Sequence, residues 1–239
     1  VSSALPGPYA HRIPAALAVL TALILLATGC TAIGGETAPA PGSPARAELE
    51  KLLTTVRIVD SRGHPGGYER GCKAGQGCVF GPAWSDDQDA PRGHDGCDTR
   101  NNVLGEQLSG VVRKGDCVVV SGTLDDPYTG KRIDFTKSDA KDIQIDHVYP
   151  LAAAWDMGAS GWGAAQRLRF ANDVEVNLLA VAAKANQDKG DRTPGDWLPP
   201  SRAGHCFYAG KYLTVAVRYE LPLTAADRDA LARVARTCP

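Results

Sequence analysis

Ile143-Gln144-Ile145-Asp146-His147-Val148-Tyr149-Pro150-Leu151 is the stretch on which the reading of this chain turns. Ile143 to Val148 reads as a short strand, ended at Pro150, which has no N–H to give a sheet. An acid beside an imidazole, where a strand runs into a loop, offers two chemistries at one place. The carboxylate can hold a cation while the ring handles a proton. Downstream, Val176 to Val181 reads as a second strand with Asn177 at its start, and a helix from about Ala182 to Lys189 carries Asn186. An amide oxygen returning on that helix can meet the same ion. Asp146 and Asn186 then form a small set of hard oxygen donors suited to Mg²⁺ or a similar divalent cation.

Outward from this stretch, the chain alternates strand and helix signals. Cys117 to Leu124 is β-branched, Asp126-Pro127-Tyr128-Thr129-Gly130 is a turn, and Lys131 to Phe135 returns as a partner strand. Ala152 to Phe170 reads as helices broken around Gly158 to Gly163. Residues 60–110 are rich in Gly, Asp and Arg and read as loops pinned by disulfides. Leu49, Leu52, Leu53 and Val56 recur at i, i+3, i+4, i+7 and mark a first helix, where the domain starts. Tyr208, Tyr212, Val215 and Tyr219 keep one helical face, and Thr224 is placed to cap a last helix carrying Leu231, Val234 and Cys238. Tyr68, Phe80, Trp84, Trp155, Trp162 and Trp197 are expected in the core, while His64, His94 and His205 receive no role.

The first residues read as a targeting segment. His11 and Arg12 precede an apolar run from Ile13 to Ala27, followed by Thr28-Gly29-Cys30. That run is short for a membrane span and has the layout of an export signal. The expectation is a signal peptide over 1–29, lipidation at Cys30, a Pro/Ala/Gly-rich tether over 30–45, and a folded domain over 46–239. Six further cysteines, Cys72, Cys78, Cys97, Cys117, Cys206 and Cys238, suit an exported protein as three disulfides, and proximity suggests the pairs 72–78, 97–117 and 206–238. Zinc is the competing use, but no C-x-x-C pair exists. The net charge of −1 counts against a generic DNA coat protein, while leaving room for an enzyme with a local basic groove.

Asp146-His147-Val148-Tyr149-Pro150-Leu151, with Asn177, Asn186 and the closing Asn186-x-x-Lys189-Gly190-Asp191, resembles the HNH, or His-Me finger, endonucleases and their ββα-metal fold. Four further blocks extend the resemblance from about Tyr68 to Cys238: Gly96-Cys97-Asp98-Thr99-Arg100-Asn101, Ser121-Gly122 through Gly130, Phe170-Ala171-Asn172-Asp173, and Trp197-Leu198-Pro199-Pro200. They are similar to secreted HNH-like proteins of high-GC Gram-positive bacteria, related to the nuclease domain of modification-dependent restriction enzymes. The gap of roughly thirty residues between His147 and Asn177 is longer than in compact members and implies a helical insertion.

The resemblance implies an α+β fold: a ββα-metal core with that insertion, a flanking β-hairpin, and C-terminal helices stapled by disulfides. It implies phosphodiester hydrolysis, with His147 as general base and Asp146 and Asn186 holding one divalent ion, Mg²⁺ first and Mn²⁺, Ca²⁺ or Zn²⁺ as alternatives. Asn177 would brace the loop carrying His147, and Arg100, with Lys189 behind it, would clamp a phosphate. The expected partners are nucleic acid, DNA ahead of RNA, and a membrane through the lipid at Cys30. The protein is expected to be a monomer, exported and lipid-anchored or secreted. The competing expectation is an inactive surface lipoprotein that keeps the fold for binding.

Overall fold

Gly and Asp dominate residues 60–98, and in the computed structural model that segment is turns and bends with no long element. The structure describes residues 38–239 together with Val1 and Gly7. The expected signal peptide, Cys30 and the first part of the tether lie outside the described residues. In chain order the elements are α1 (Arg46–Thr55), β1 (Ile58–Val59), α2 (Thr99–Gln107), β2 (Ser109–Lys114), β3 (Val118–Asp125), β4 (Arg132–Thr136), β5 (Ile143–His147), α3 (Leu151–Asp156), α4 (Ala164–Ala171), β6 (Leu178–Ala182), α5 (Ala183–Lys189), α6 (His205–Arg218), β7 (Leu223–Thr224) and α7 (Ala225–Ala235). This is a mixed α+β fold with small sheets and, among the described residues, seven α-helices.

The alternation of β5 and β6 decides what each face of the sheet meets. They pair antiparallel, with Ile145 opposite Ala180 and His147 opposite Leu178. Successive strand residues point to opposite faces. Ile143, Ile145, Leu178 and Ala180 accordingly enter one apolar cluster with Val103 and Leu104 of α2 and Phe135 of β4. Leu179 and Val181 enter the other, larger cluster, with Tyr128, Phe170, Tyr208 and Tyr212. The two strands are thus the partition between two cores. α3 and α4 lie between β5 and β6 in sequence, and α5 begins the moment β6 ends.

The free edge of β6 is closed by side chains. Gln107, at the end of α2, donates its amide N–H to the carbonyl of Leu178 (3.1 Å) and accepts from the N–H of Ala180 (2.8 Å), as a neighbouring strand would. Asp126 accepts from the N–H of Ala182 at 3.1 Å. A second sheet, β2-β3-β4, packs beside α2, and β2 is a largely exposed edge strand absent from the sequence reading. Its Val112 is solvent-exposed, which hides the alternation by which strands are found.

At the C-terminus, α6 buries Tyr208, Tyr212 and Leu213 against α1 and α7. Thr224 caps α7 through a reciprocal pair: its hydroxyl accepts from the N–H of Asp227, and the Asp227 carboxylate accepts from the N–H of Thr224. Three disulfides are present, Cys72–Cys78, Cys97–Cys117 and Cys206–Cys238. The last ties the start of α6 to the chain end, and Arg46 at the head of α1 donates its N–H to the carbonyl of Pro239. The tail of the expected tether is also packed here: the Ala40 N–H bonds the Ala203 carbonyl, and Gly42 and Pro44 lie against Phe207 and Gly210 of α6. One aromatic residue expected in the core is not there: Tyr68 is exposed. Trp84 is half-buried, packed against the smaller apolar cluster with its ring stacked on His147.

Candidate active site

Because Asp146 and His147 are neighbours on a strand, their side chains leave opposite faces of the β5–β6 pair. His147 turns toward α4 and the loop before α2. Its Nε2 lies 2.9 Å from the carbonyl oxygen of Ala171, at the end of α4. A carbonyl only accepts, so Nε2 carries the hydrogen and Nδ1 keeps its lone pair. The ring stacks on Trp84 with centroids 6.0 Å apart and planes 10° from parallel. Burial, followed by the positive charges of Arg70 and Lys189, pushes the imidazole down to about 3, against the opposing pull of the Ala171 bond. The ring is therefore a neutral base of fixed tautomer.

Trp84 holds its place through an uncommon backbone. Its φ of 58° lies in the left-handed region, disfavoured for a bulky residue. The neighbouring α2 imposes it: Thr99 donates its N–H to the Trp84 carbonyl (3.2 Å) and its hydroxyl to the Ser85 carbonyl (2.9 Å). Asp98 caps the same helix on the N–H of Asn101, and the Asn101 side chain accepts from the N–H of Val119. The block Gly96 to Asn101 thereby joins α2, β3 and the Cys97–Cys117 disulfide into the wall behind His147.

Asp146 turns the other way and is 4% exposed. One carboxylate oxygen accepts from the Tyr128 hydroxyl at 2.6 Å, the other from the Lys189 ammonium at 2.9 Å. Lys189 is 0% exposed, and its ammonium also reaches the backbone carbonyl of His147 at 2.9 Å. Burial lowers the Lys189 affinity for its proton, and the adjacent Asp146 charge opposes that. Tyr128 is carried by the turn Asp126 to Gly130, where Asp126 accepts from the N–H groups of Tyr128 and Thr129 as well as from Ala182. One aspartate thus fixes the turn and ties it to β6, so that the tyrosine meets Asp146.

The remaining residues singled out in the sequence separate by position. Asn177, fully buried, accepts from the Tyr149 N–H (2.9 Å) and donates to the Phe170 carbonyl (3.2 Å), and its own carbonyl takes the Val148 N–H. It links the segment after His147 to α4. Asn186 donates to the side-chain oxygen of Gln144 at 2.9 Å, two residues before Asp146 on the same strand face. Arg100 is half-buried and donates to the carbonyl of Ile143, at the far end of β5 from His147. Lys189 faces inward and presents no cation to solvent.

Asp146 and Asn186 bring hard oxygen donors, and a Mg²⁺ ion that keeps most of its waters needs only one or two carboxylates beside a substrate phosphate. That chemistry fits. The geometry adds competitors, because the Tyr128 hydroxyl and the Lys189 ammonium each hold one oxygen of the Asp146 carboxylate. Among the described residues no three His, Cys, Asp or Glu side chains converge into a ready-made metal cage.

Residues 98–234 match the family described as GmrSD restriction endonucleases, C-terminal domain. The chain belongs to that family. The matched GmrSD C-terminal segment holds Asp146, His147, Asn177, Asn186, Lys189, Arg100 and Tyr128, while Arg70 and Trp84 precede it. The chain is also similar to a protein of Arthroderma benhamiae described as an uncharacterized secreted protein, 34% identical over 223 residues that cover 93% of this chain and 98% of that one. No solved structure matches the chain. A secreted relative and three disulfides together point to export. Tyr128 and Trp84 are the site residues that the sequence reading missed. Tyr128 sits in a quoted block read only as a turn; for Trp84 no local signal exists, because only the folded chain carries it to His147.

Proposed function

We propose that this GmrSD-family protein is an exported endonuclease that hydrolyses phosphodiester bonds, with Nδ1 of His147 as the general base. The observation that carries the reading is the Nε2–H bond from His147 to Ala171, which leaves Nδ1 as the acceptor. In the reaction, Nδ1 takes a proton from water as that oxygen bonds to phosphorus, and the bond to the departing 3′ oxygen breaks. The buried ring is a weak base in the free protein. An anionic phosphate beside it favours the protonated form and restores its basicity. Asn177 and Lys189 act at one remove, Lys189 holding the carbonyl of His147 and Asn177 the backbone of Val148 and Tyr149 that follows it.

A divalent ion, Mg²⁺ first, belongs to the proposal. Asp146 and Asn186 would hold it, with Lys189 giving up its carboxylate oxygen, and bound there it would supply charge stabilisation to the phosphate. DNA ahead of RNA as substrate, lipidation at Cys30, an HNH-type ββα-metal core formed by β5, β6 and α5, and a monomeric state complete the reading. An inactive surface protein with a binding role is the second reading, favoured by the burial of His147 and the ammonium on Asp146. Cleavage of plasmid DNA and of RNA by the oxidised protein, with Mg²⁺, Mn²⁺ or EDTA and beside His147→Ala, separates the two. Metal-dependent nicking lost in the variant supports the nuclease. Folded wild type that cuts neither substrate with any ion leaves the binding protein.

A further inference from the structure

A cleft of about 330 Å³ opens where the chain leaving α1, the start of α4 and the end of α6 meet. Small organic ligands are held in spaces of about 300–1,000 Å³. Arg57, Trp162, Gln166, Arg218 and Glu220 line this one, and most of the surface it presents is polar. It is separate from the candidate active site: Ala171, which holds the His147 ring, ends α4, whereas Gln166 belongs to the first turn of that helix.

The cleft brings together two cations whose charge is little used elsewhere. Arg46, Arg62, Arg92 and Arg228 each meet a carboxylate at 3.0 Å or less. Arg57 is exposed and has no ion-pair partner among the described residues. Arg218 reaches Glu175 only at 3.6 Å, in a pair whose side chains are 45% and 58% exposed, which holds a guanidinium weakly. Glu220 is the one acid in the wall, so the lining keeps a positive excess. The end of α6 does not cancel that excess with bare carbonyls, because those of Val215, Ala216 and Val217 accept from Tyr219, Leu221 and Glu220.

Two further features suit a ligand with both an anionic group and a flat ring. α4 starts at the cleft with Gly163 as its cap residue and no side chain on its first N–H groups. A Cβ at Gly163 would meet nothing within 4 Å, so packing does not demand glycine there. The uncapped turn adds donors for an anion beside the two arginines. Trp162 is half-buried and fixed, its ring 5.5 Å from Phe170 and 5.9 Å from Tyr219. A ring held in that way offers a stacking surface to a nucleobase.

We propose that this cleft binds a nucleoside monophosphate. Arg57 and Arg218 grip its phosphate, Trp162 carries its base, and Glu220 accepts from its sugar hydroxyls. The inference does not depend on His147 being a catalytic base. Its test is isothermal titration calorimetry of the full, oxidised protein with adenosine 5′-monophosphate, adenosine and inorganic phosphate. The monophosphate should bind, and the other two should bind at least about tenfold more weakly. Arg57→Gln and Arg218→Gln should each weaken the monophosphate at least about tenfold, the scale of one hydrogen bond to a charged group, with circular dichroism unchanged. Arg57→Lys should recover part of that loss, and His147→Ala should bind as wild type does. Wild type that does not bind the monophosphate overturns the proposal, as does binding that both arginine variants leave intact. Adenosine or inorganic phosphate bound as tightly as the monophosphate overturns it too. So does a loss confined to His147→Ala, which would put the nucleotide at the candidate active site instead.

Discussion

At the scale of single residues, the site is a matter of which atom of each side chain is already engaged. His147 keeps Nδ1 because Nε2 is given to Ala171, and burial keeps the ring neutral down to about pH 3. His147→Ala should therefore lose at least about 10²-fold in cleavage rate while its circular dichroism is unchanged, the usual scale for a general base. The pH dependence has a definite sign. The folded value lies below the ordinary histidine value, so the unfolded chain binds the extra proton. Stability from this group is present above about 6.5 and is lost as pH falls toward 3. Urea midpoints between pH 7 and pH 4 should fall more steeply in wild type than in His147→Asn. In the same window kcat/KM, which reports the free ring, should hold level below pH 6. The acidic limb of kcat should lie higher, because a bound phosphate raises the ring.

Lys189 is the residue whose role the fold most redefines. The resemblance implied a phosphate clamp at Lys189, and the folded chain places it in an interior ion pair. Removing one partner of such a pair leaves a buried charge alone, so Lys189→Met should cost about 3–5 kcal/mol in urea unfolding. Mg²⁺ supplies a test with a readout other than activity. If Asp146 can take a divalent ion, added Mg²⁺ should raise the melting temperature of Lys189→Met more than that of wild type. Equal shifts in the two proteins would separate the ion from Asp146.

At the scale of elements, the β5–β6 pair has no third strand among the described residues, and side chains close its outer edge. Gln107 serves two backbone groups of β6 at once. Gln107→Leu should destabilise by about 1–3 kcal/mol, the cost of leaving buried backbone polar groups without partners, measured from the urea midpoint. The core strands were legible because β5 and β6 keep their side chains buried on both faces and are bounded by turn residues. The insertion between them was legible from the gap between His147 and Asn177. β2 was not, because an exposed edge strand carries no burial pattern, and β1 and β7, two residues each, are too short to show one.

At the scale of the whole molecule, three disulfides cross-link regions that the hydrophobic cores hold unequally. Cys206–Cys238 closes a separation of 32 residues and joins α6 to the chain end, whereas Cys72–Cys78 closes 6. Loop-closure entropy assigns about 3–4 kcal/mol to the first and about 2 kcal/mol to the second. Replacing Cys206 and Cys238 by Ala should lower the melting temperature more than replacing Cys72 and Cys78 by Ser.

The sequence alone determined the order of strand, loop, insertion, strand and helix around Asp146-His147, the pairing of cysteines by proximity, and the capped last helix. Each of these rests on neighbours within a few residues, where periodicity and turn chemistry act. Only the tertiary structure decided which nitrogen of His147 is bare, that Lys189 and Tyr128 occupy Asp146, and that Trp84 stacks on the ring. The contacts of His147 with Ala171, Asp146 with Lys189 and Asp146 with Tyr128 span 24, 43 and 18 residues. Contacts so distant are set by how two apolar faces of one small sheet are covered, which no local pattern of residues records.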